Sequence, residues 1–72
     1  MPLDYKKEIA DIAGRMKEIR KERKLTIQEV AYRCDMERSN LSRIEAGKTN
    51  LTIKTICAIC QALGCKLSDV VK

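Results

Sequence analysis

Histidine, phenylalanine and tryptophan are absent from the 72 residues, and two tyrosines are the only aromatic side chains. Without histidine the chain lacks the commonest general base and the commonest zinc ligand. Without an aromatic platform it has nothing on which unpaired bases can stack, which argues against single-strand binding and RRM-like recognition. No apolar stretch approaches the roughly 20 residues that span a bilayer. The opening MPLDYKKEIADIA is charged throughout and lacks the apolar core of a signal peptide. These absences predict a cytoplasmic protein with no membrane partner, whose four cysteines stay reduced. No nucleophile–base pair is visible, and the chain is too short to shelter a substantial pocket, so an enzyme, a cofactor and a small-molecule ligand are not expected.

What is present is globular in character, with 44% hydrophobic residues. A single domain over residues 1–72 is expected, with a core about 9–71 and residues 1–8 as an N-terminal extension. A chain of this size hides only about 60% of its unfolded surface, so its stability is marginal unless something supplements the core. The formal charge of +5 points to a polyanion, nucleic acid being the commonest. A solvated basic surface is the alternative reading of the charge alone.

From about Asp4 to Lys24, Ile9, Ile12, Met16 and Ile19 recur at steps of three and four, which predicts a long amphipathic helix. Gly14 costs such a helix up to about 1 kcal/mol relative to alanine. The basic cluster Arg20 to Lys24 suits the carbonyl end of its dipole. Leu3 and Tyr5 precede the stripe and extend it loosely or form an arm.

Thr26 opens a second helix with Glu29 three residues on, the spacing of a capping box. Val30, Ala31 and Cys34 form its apolar face. Asp35 interrupts the pattern, and aspartate tolerates the left-handed backbone of a sharp turn. A third helix follows over about 37–46, with Leu41 and Ile44 inward and Arg38, Ser39, Ser42 and Arg43 outward. Gly47 stops it. Thr26 to Lys48 therefore reads as a helix-turn-helix whose second helix is fitted to read DNA.

After the turn-favouring pair Thr49 and Asn50, Thr52 caps a fourth helix with Ile53, Ile56, Ile59, Cys60 and Leu63 inward, ended by Gly64. Ser68 and Asp69 start a short fifth helix with Leu67, Val70 and Val71 apolar. Five helices, short connections and no credible strand predict an all-α bundle. No repeat, low-complexity tract or linker breaks the pattern.

With these elements placed, the sequence resembles the phage repressor/Cro-like (XRE) helix-turn-helix family from about Ile9 to Val71, through IRKERKLTIQEVA, SNLSRIEAGKTN and ALGCKLSDVV. The resemblance implies a compact five-helix, lambda-repressor-like DNA-binding domain with the helix-turn-helix in helices 2 and 3. It also implies that Arg20 and Glu45 form an internal ion pair tying the first helix to the end of the recognition helix, where the alternative is two unrelated surface charges. Arg38, Ser39 and Arg43 match base-facing positions, with Glu37 and Ser42 beside them. An arginine can take guanine O6 and N7 together, although either arginine would serve equally as a phosphate clamp. Gln28, Asn40, Lys48 and Asn50 match or neighbour phosphate-contacting positions. Two departures stand out. Ile27 replaces the glutamine usual at the start of the second helix and cannot bond a phosphate, and Asp35 replaces the usual turn glycine.

Cys57, Ala58, Ile59 and Cys60 spell a C-x-x-C followed by Cys65, which invites a metal or redox reading. Against it, Cys60 falls on the core stripe, Cys65 and Cys34 take apolar positions, and free cysteine packs as a small hydrophobe. Core packing is the expectation, no metal is expected, and Cys57 is the exposed thiol.

These readings converge on a sequence-specific double-stranded DNA-binding regulator acting as a homodimer on a near-palindromic operator. Leu67, Val70 and Val71 would form its dimer surface. The alternative is a protein-interaction module, or an antitoxin-like partner of a toxin, contacted through the outward residues of the first helix and the Leu3/Tyr5 start.

Overall fold

The computed structural model describes residues 2–71, and they form five α-helices: α1 (Tyr5–Glu22), α2 (Ile27–Arg33), α3 (Arg38–Glu45), α4 (Ile53–Leu63) and α5 (Leu67–Val70). Among the described residues there is no strand. The side-chain oxygen of the residue just before the helix starts three of the five. Asp4 accepts from the amides of Lys6 and Lys7 at 3.0 and 3.4 Å. Thr26 Oγ1 accepts from the Glu29 amide at 3.0 Å while Glu29 Oε1 accepts from the Thr26 amide at 3.1 Å, closing the capping box reciprocally. Those bonds hold the Glu29 carboxyl below its ordinary pKa, the Thr26 amide contributing most. Thr52 Oγ1 accepts from the Thr55 amide at 3.1 Å.

Three helices also end in one way. After α1, α2 and α4 a single residue turns left-handed: Lys24 (φ +57°), Asp35 (φ +54°) and Gly64 (φ +76°). In each case the amide of that residue donates three residues back, to Lys21, Tyr32 and Gln61. The next amide donates five back, from Leu25 to Arg20, Met36 to Ala31 and Cys65 to Cys60. This is the Schellman motif, which satisfies the last carbonyls of a helix and brings the side chains of its two outer residues together. Gly64 is the expected residue for it, whereas Lys24 carries a side-chain penalty that the paired carbonyls offset.

The core gathers Met16 and Ile19 of α1, Val30 and Ala31 of α2, Leu41 and Ile44 of α3, Ile56, Ile59, Cys60 and Leu63 of α4 and Val70 of α5. Fully burying a side chain of the Val, Leu, Ile or Met kind contributes about 1.5–3 kcal/mol, so five short helices rest on roughly a dozen residues. Ala13 of α1 is also fully enclosed. Its small side chain lies near the space left by Gly47, where an added Cβ would stand 3.2 Å from the Ala10 backbone. Gly47 (φ +77°) therefore ends α3 and lets the following loop lie directly on α1.

Two apolar assignments change. Ile53 was expected inward, but it heads α4 one turn before Ile56 and is 62% exposed. Val70, expected on a dimer surface, is only 4% exposed, because the last turn of α5 folds back over α1 and α4 and inserts it into the chain's own core. Leu67 and Val71, at 37% and 39%, stay at the surface. The fifth helix begins at Leu67 rather than Ser68, its start held by the Lys66 amide donating to Asp69 Oδ2 at 2.8 Å.

Gly14 lies inside α1 at an exposed position with no atom within 4 Å of an added Cβ. Gly14→Ala is therefore expected to stabilise the domain by about 0.8–1 kcal/mol, the helix-interior difference between the two residues. A higher urea midpoint with an unchanged slope would show it.

Candidate nucleic-acid interface

The turn that aims α3 is built from the Asp35 motif. Asp35 reverses the chain, Met36 half-buries beside Ala31, and Glu37 precedes α3 in an extended conformation with no side-chain bond to the helix start. Leu41 and Ile44 anchor the inner face of α3 at 1% and 4% exposure. With that face fixed, the helical period sends the remaining side chains outward. Arg38, Ser39, Ser42 and Arg43 are all exposed, as is Glu37, while Asn40 is half-buried. Arg38 with Ser42 and Ser39 with Arg43 are each four residues apart, so they form two adjoining rows along one face.

The far end of α3 is held by Arg20. Its Nε donates to Glu45 Oε2 at 2.7 Å and its Nη2 to Glu45 Oε1 at 3.0 Å, a two-point contact between side chains only 10% and 7% exposed. A third donor, Nη1, reaches the Leu25 carbonyl at 2.8 Å. One guanidinium thus fastens α3 to α1 and also braces the turn into α2. The planar fork of arginine makes this possible, and a lysine at position 20 would offer a point charge without the paired geometry.

Several other cations are used inside the fold. Arg33 Nη1 donates to the Ala62 carbonyl at 3.1 Å, Arg23 Nη1 donates to the Leu63 carbonyl, and Arg15 Nε donates to the Asp69 carbonyl at 3.1 Å. The last turn of α4 carries no basic residue of its own, so Arg23 of the α1 cap and Arg33 of α2 supply the positive charge its carbonyl end favours. The positive charge read from composition is therefore unevenly available. It is spent in part on helix ends, while Arg38 and Arg43 are exposed on α3.

Gln28 is exposed in the first turn of α2, and Lys48 and Asn50 are exposed in the loop after α3. Ile27 is half-buried against the core, which gives the departure at that position a packing role. Lys48 and Asn50 share a cleft with Tyr5, Lys6 and Ile9 from the start of α1. Lys6 was not singled out in the sequence. Some forty residues separate it from that loop, and only the seating of Gly47 on Ala10 brings them together. Tyr32, 86% exposed on α2, is a second residue that periodicity left unremarked.

The thiols divide as their positions suggest. Cys57 is exposed, Cys34 and Cys65 are half-buried, and Cys60 is buried. Burial raises the pKa of Cys34, whose Sγ donates to the Val30 carbonyl at 3.2 Å. Among the described residues no group of three or more Cys, Asp or Glu side chains is placed to hold a metal ion, and no helix is long and apolar enough to cross a membrane.

Comparison with known proteins agrees with this geometry. Residues 16–70 match the family described as Helix-turn-helix. The immunity repressor protein of Bacillus phage phi105 is 40% identical over 60 residues, which cover 83% of this chain and 42% of that protein. The chain thus matches less than half the length of that relative. Among solved structures, the clp gene regulator ClgR from C. glutamicum superposes with a TM-score of 0.85 at 23% identity, over 97% of this chain and 86% of that one, a likeness of fold. The restriction-modification controller protein C.Esp1396I, solved as a tetramer in complex with its natural 35 base-pair operator, is similar at a TM-score of 0.79 and 26% identity, over 90% of this chain and 96% of that one. With the turn, the anchored outward helix and the family pattern over most of its length, the chain belongs to the phage repressor/Cro-like (XRE) helix-turn-helix family of DNA-binding domains.

Proposed function

We propose that this chain is a sequence-specific double-stranded DNA-binding transcriptional regulator that acts as a homodimer, with α3 in the major groove. The observation that carries the reading is the pair of exposed rows on α3, held at one end by the Asp35 turn and at the other by Arg20 and Glu45. Arg38 and Arg43 read base edges, with Ser39, Ser42 and Glu37 beside them. Glu37 is free to accept from cytosine N4, since it makes no bond to the helix it precedes. Gln28, Asn40, Lys48 and Asn50 contact phosphates, and Lys6 extends the last two along the same cleft. A second copy would cover Leu67 and Val71 and add stability that so small a core lacks. The operator-bound tetramer of C.Esp1396I supports assembly on DNA as the mode of action.

Selection of bound duplexes from a random pool, read at two salt concentrations, tests this directly. Enriched sequences are expected to be near-palindromes with half-sites about one turn apart, roughly 34–36 Å. The logarithm of affinity should fall with the logarithm of salt by about 0.9 per phosphate contacted. No enrichment, or binding indifferent to salt, would sink the proposal.

A further inference from the structure

Cys60 and Cys65 are used by nothing in the DNA-reading surface, and the fold sets them in an unusual relation. They are the two outer residues of the motif that closes α4, joined by the Cys65 amide donating to the Cys60 carbonyl at 3.0 Å. In that motif the corresponding side chains pack against each other. At the end of α1 the same two positions hold Arg20 and Leu25, and at the end of α2 they hold Ala31 and Met36. Only at the end of α4 are both of them thiols. The left-handed Gly64 between them makes the reversal that brings residue 65 back beside residue 60.

Their environments differ. Cys60 is 3% exposed inside the core, whereas Cys65 is half-buried at the rim. Burial, followed by a hydrogen bond with the Cys65 thiol, pushes the Cys60 thiol up to about 12. Cys60 therefore keeps its proton and stays shielded from solvent, and the sulfur that a reagent can reach is Cys65. Cys57, the other thiol of the C-x-x-C, is exposed one helical turn before Cys60 and lies outside the motif that closes α4.

We propose that Cys60 and Cys65 form a two-electron oxidation site, closed to an intrachain disulfide by a hydroperoxide, with Cys65 attacking and Cys60 resolving. The Cys65 thiol gives its proton to water and its sulfur attacks one peroxide oxygen. The O–O bond breaks, the departing hydroxide takes a proton and leaves as water, and Cys65 becomes a sulfenic acid. The Cys60 sulfur then attacks the Cys65 sulfur, forming S–S and breaking S–O, and the second hydroxide leaves as water with the Cys60 proton. Two thiols lose two electrons and one hydrogen peroxide becomes two waters. The product cross-links the end of α4 to the segment entering α5, two residues before the exposed Leu67.

The test uses the full chain carrying Cys57→Ser, with hydrogen peroxide as the oxidant, then alkylation and trypsin. Cleavage after Lys54 and Lys66 yields peptide 55–66, whose only thiols are then Cys60 and Cys65. After oxidation this peptide should be lighter by two hydrogens and take up no alkyl group, and dithiothreitol should restore both alkylation sites. Adding Cys65→Ser should leave the Cys60 thiol free and fully alkylated after the same treatment. Wild-type protein, with the peptide fragmented to locate the bond, gives the same reading without any substitution. A peptide that still takes two alkyl groups overturns the proposal, as does a bond to Cys57 or over-oxidised Cys65 with Cys60 free.

Discussion

Replacing Glu45 with alanine is expected to cost the domain about 3–5 kcal/mol, because it strands a guanidinium that the fold has already taken out of water. Arg20 is 8% exposed and sits between α1, the turn into α2 and the end of α3. A domain of 72 residues has roughly 4–11 kcal/mol of total stability. The loss would therefore remove from about a quarter to the whole of that stability. Urea unfolding followed by the helical circular dichroism signal would measure it. Two companions separate the pair's geometry from its charge. Glu45→Gln keeps one acceptor and should lose less than alanine. Arg20→Met combined with Glu45→Leu leaves no unpaired charge, only the Leu25 carbonyl without its guanidinium donor, and should recover much of the stability, since an apolar pair of similar volume often matches a buried ion pair. A loss under about 1 kcal/mol for Glu45→Ala would mean that the contact behaves as an exposed pair.

Arg38→Ala and Arg43→Ala should act on DNA and leave the fold alone. Both side chains are exposed, and surface substitutions of this kind usually change stability by no more than about 0.5 kcal/mol. A bidentate arginine–guanine contact discriminates by about 1–3 kcal/mol. In a homodimer each substitution occurs twice, so operator affinity should fall by about 2–6 kcal/mol, roughly 30-fold to 10⁴-fold. Affinity for random duplex should fall much less. Titrating each variant against the selected operator and against random DNA at one salt concentration distinguishes the roles. Equal losses on both would reassign that arginine to phosphate, where its contribution carries no sequence information.

The contrast between these two predictions follows how each residue became legible. Arg38, Ser39, Ser42 and Arg43 are outward because Leu41 and Ile44 are inward, and a period of 3.6 allows nothing else on so short a helix. The Thr26–Glu29 capping box is likewise local chemistry, complete within four residues. Ile53 shows where periodicity overreaches. It falls in phase with Ile56 and Leu63, yet a stripe says which face is apolar and not how far along the helix its neighbours extend. Val70 shows the reverse, an apolar tail residue that looked free and is buried by α4 together with α1, some fifty residues earlier in the chain.

The charge pattern carries the same lesson. Composition counts Arg15, Arg23 and Arg33 alongside Arg38 and Arg43 as positive surface. The fold commits the first three to carbonyls of α4 and α5. No local rule links Arg33 to Ala62, because their meeting depends on how α2 packs against α4.

The sequence by itself determined the order of the five helices, most of their caps, the Asp35 turn and the outward face of α3. Each of these is set by residues within a few positions of one another, through backbone capping, conformational preference at positive φ and helical period. The resemblance to a family named Arg20 and Glu45 as partners. Only the tertiary structure decided that their contact is two-pronged and nearly closed to water, that Lys6 lies beside Lys48, that Val70 belongs to the core and that Cys60 is buried while Cys65 stays at the rim. The reason is the same for all four. Burial and long-range proximity arise from how faces of different helices meet, and the chain encodes that meeting through the whole core at once.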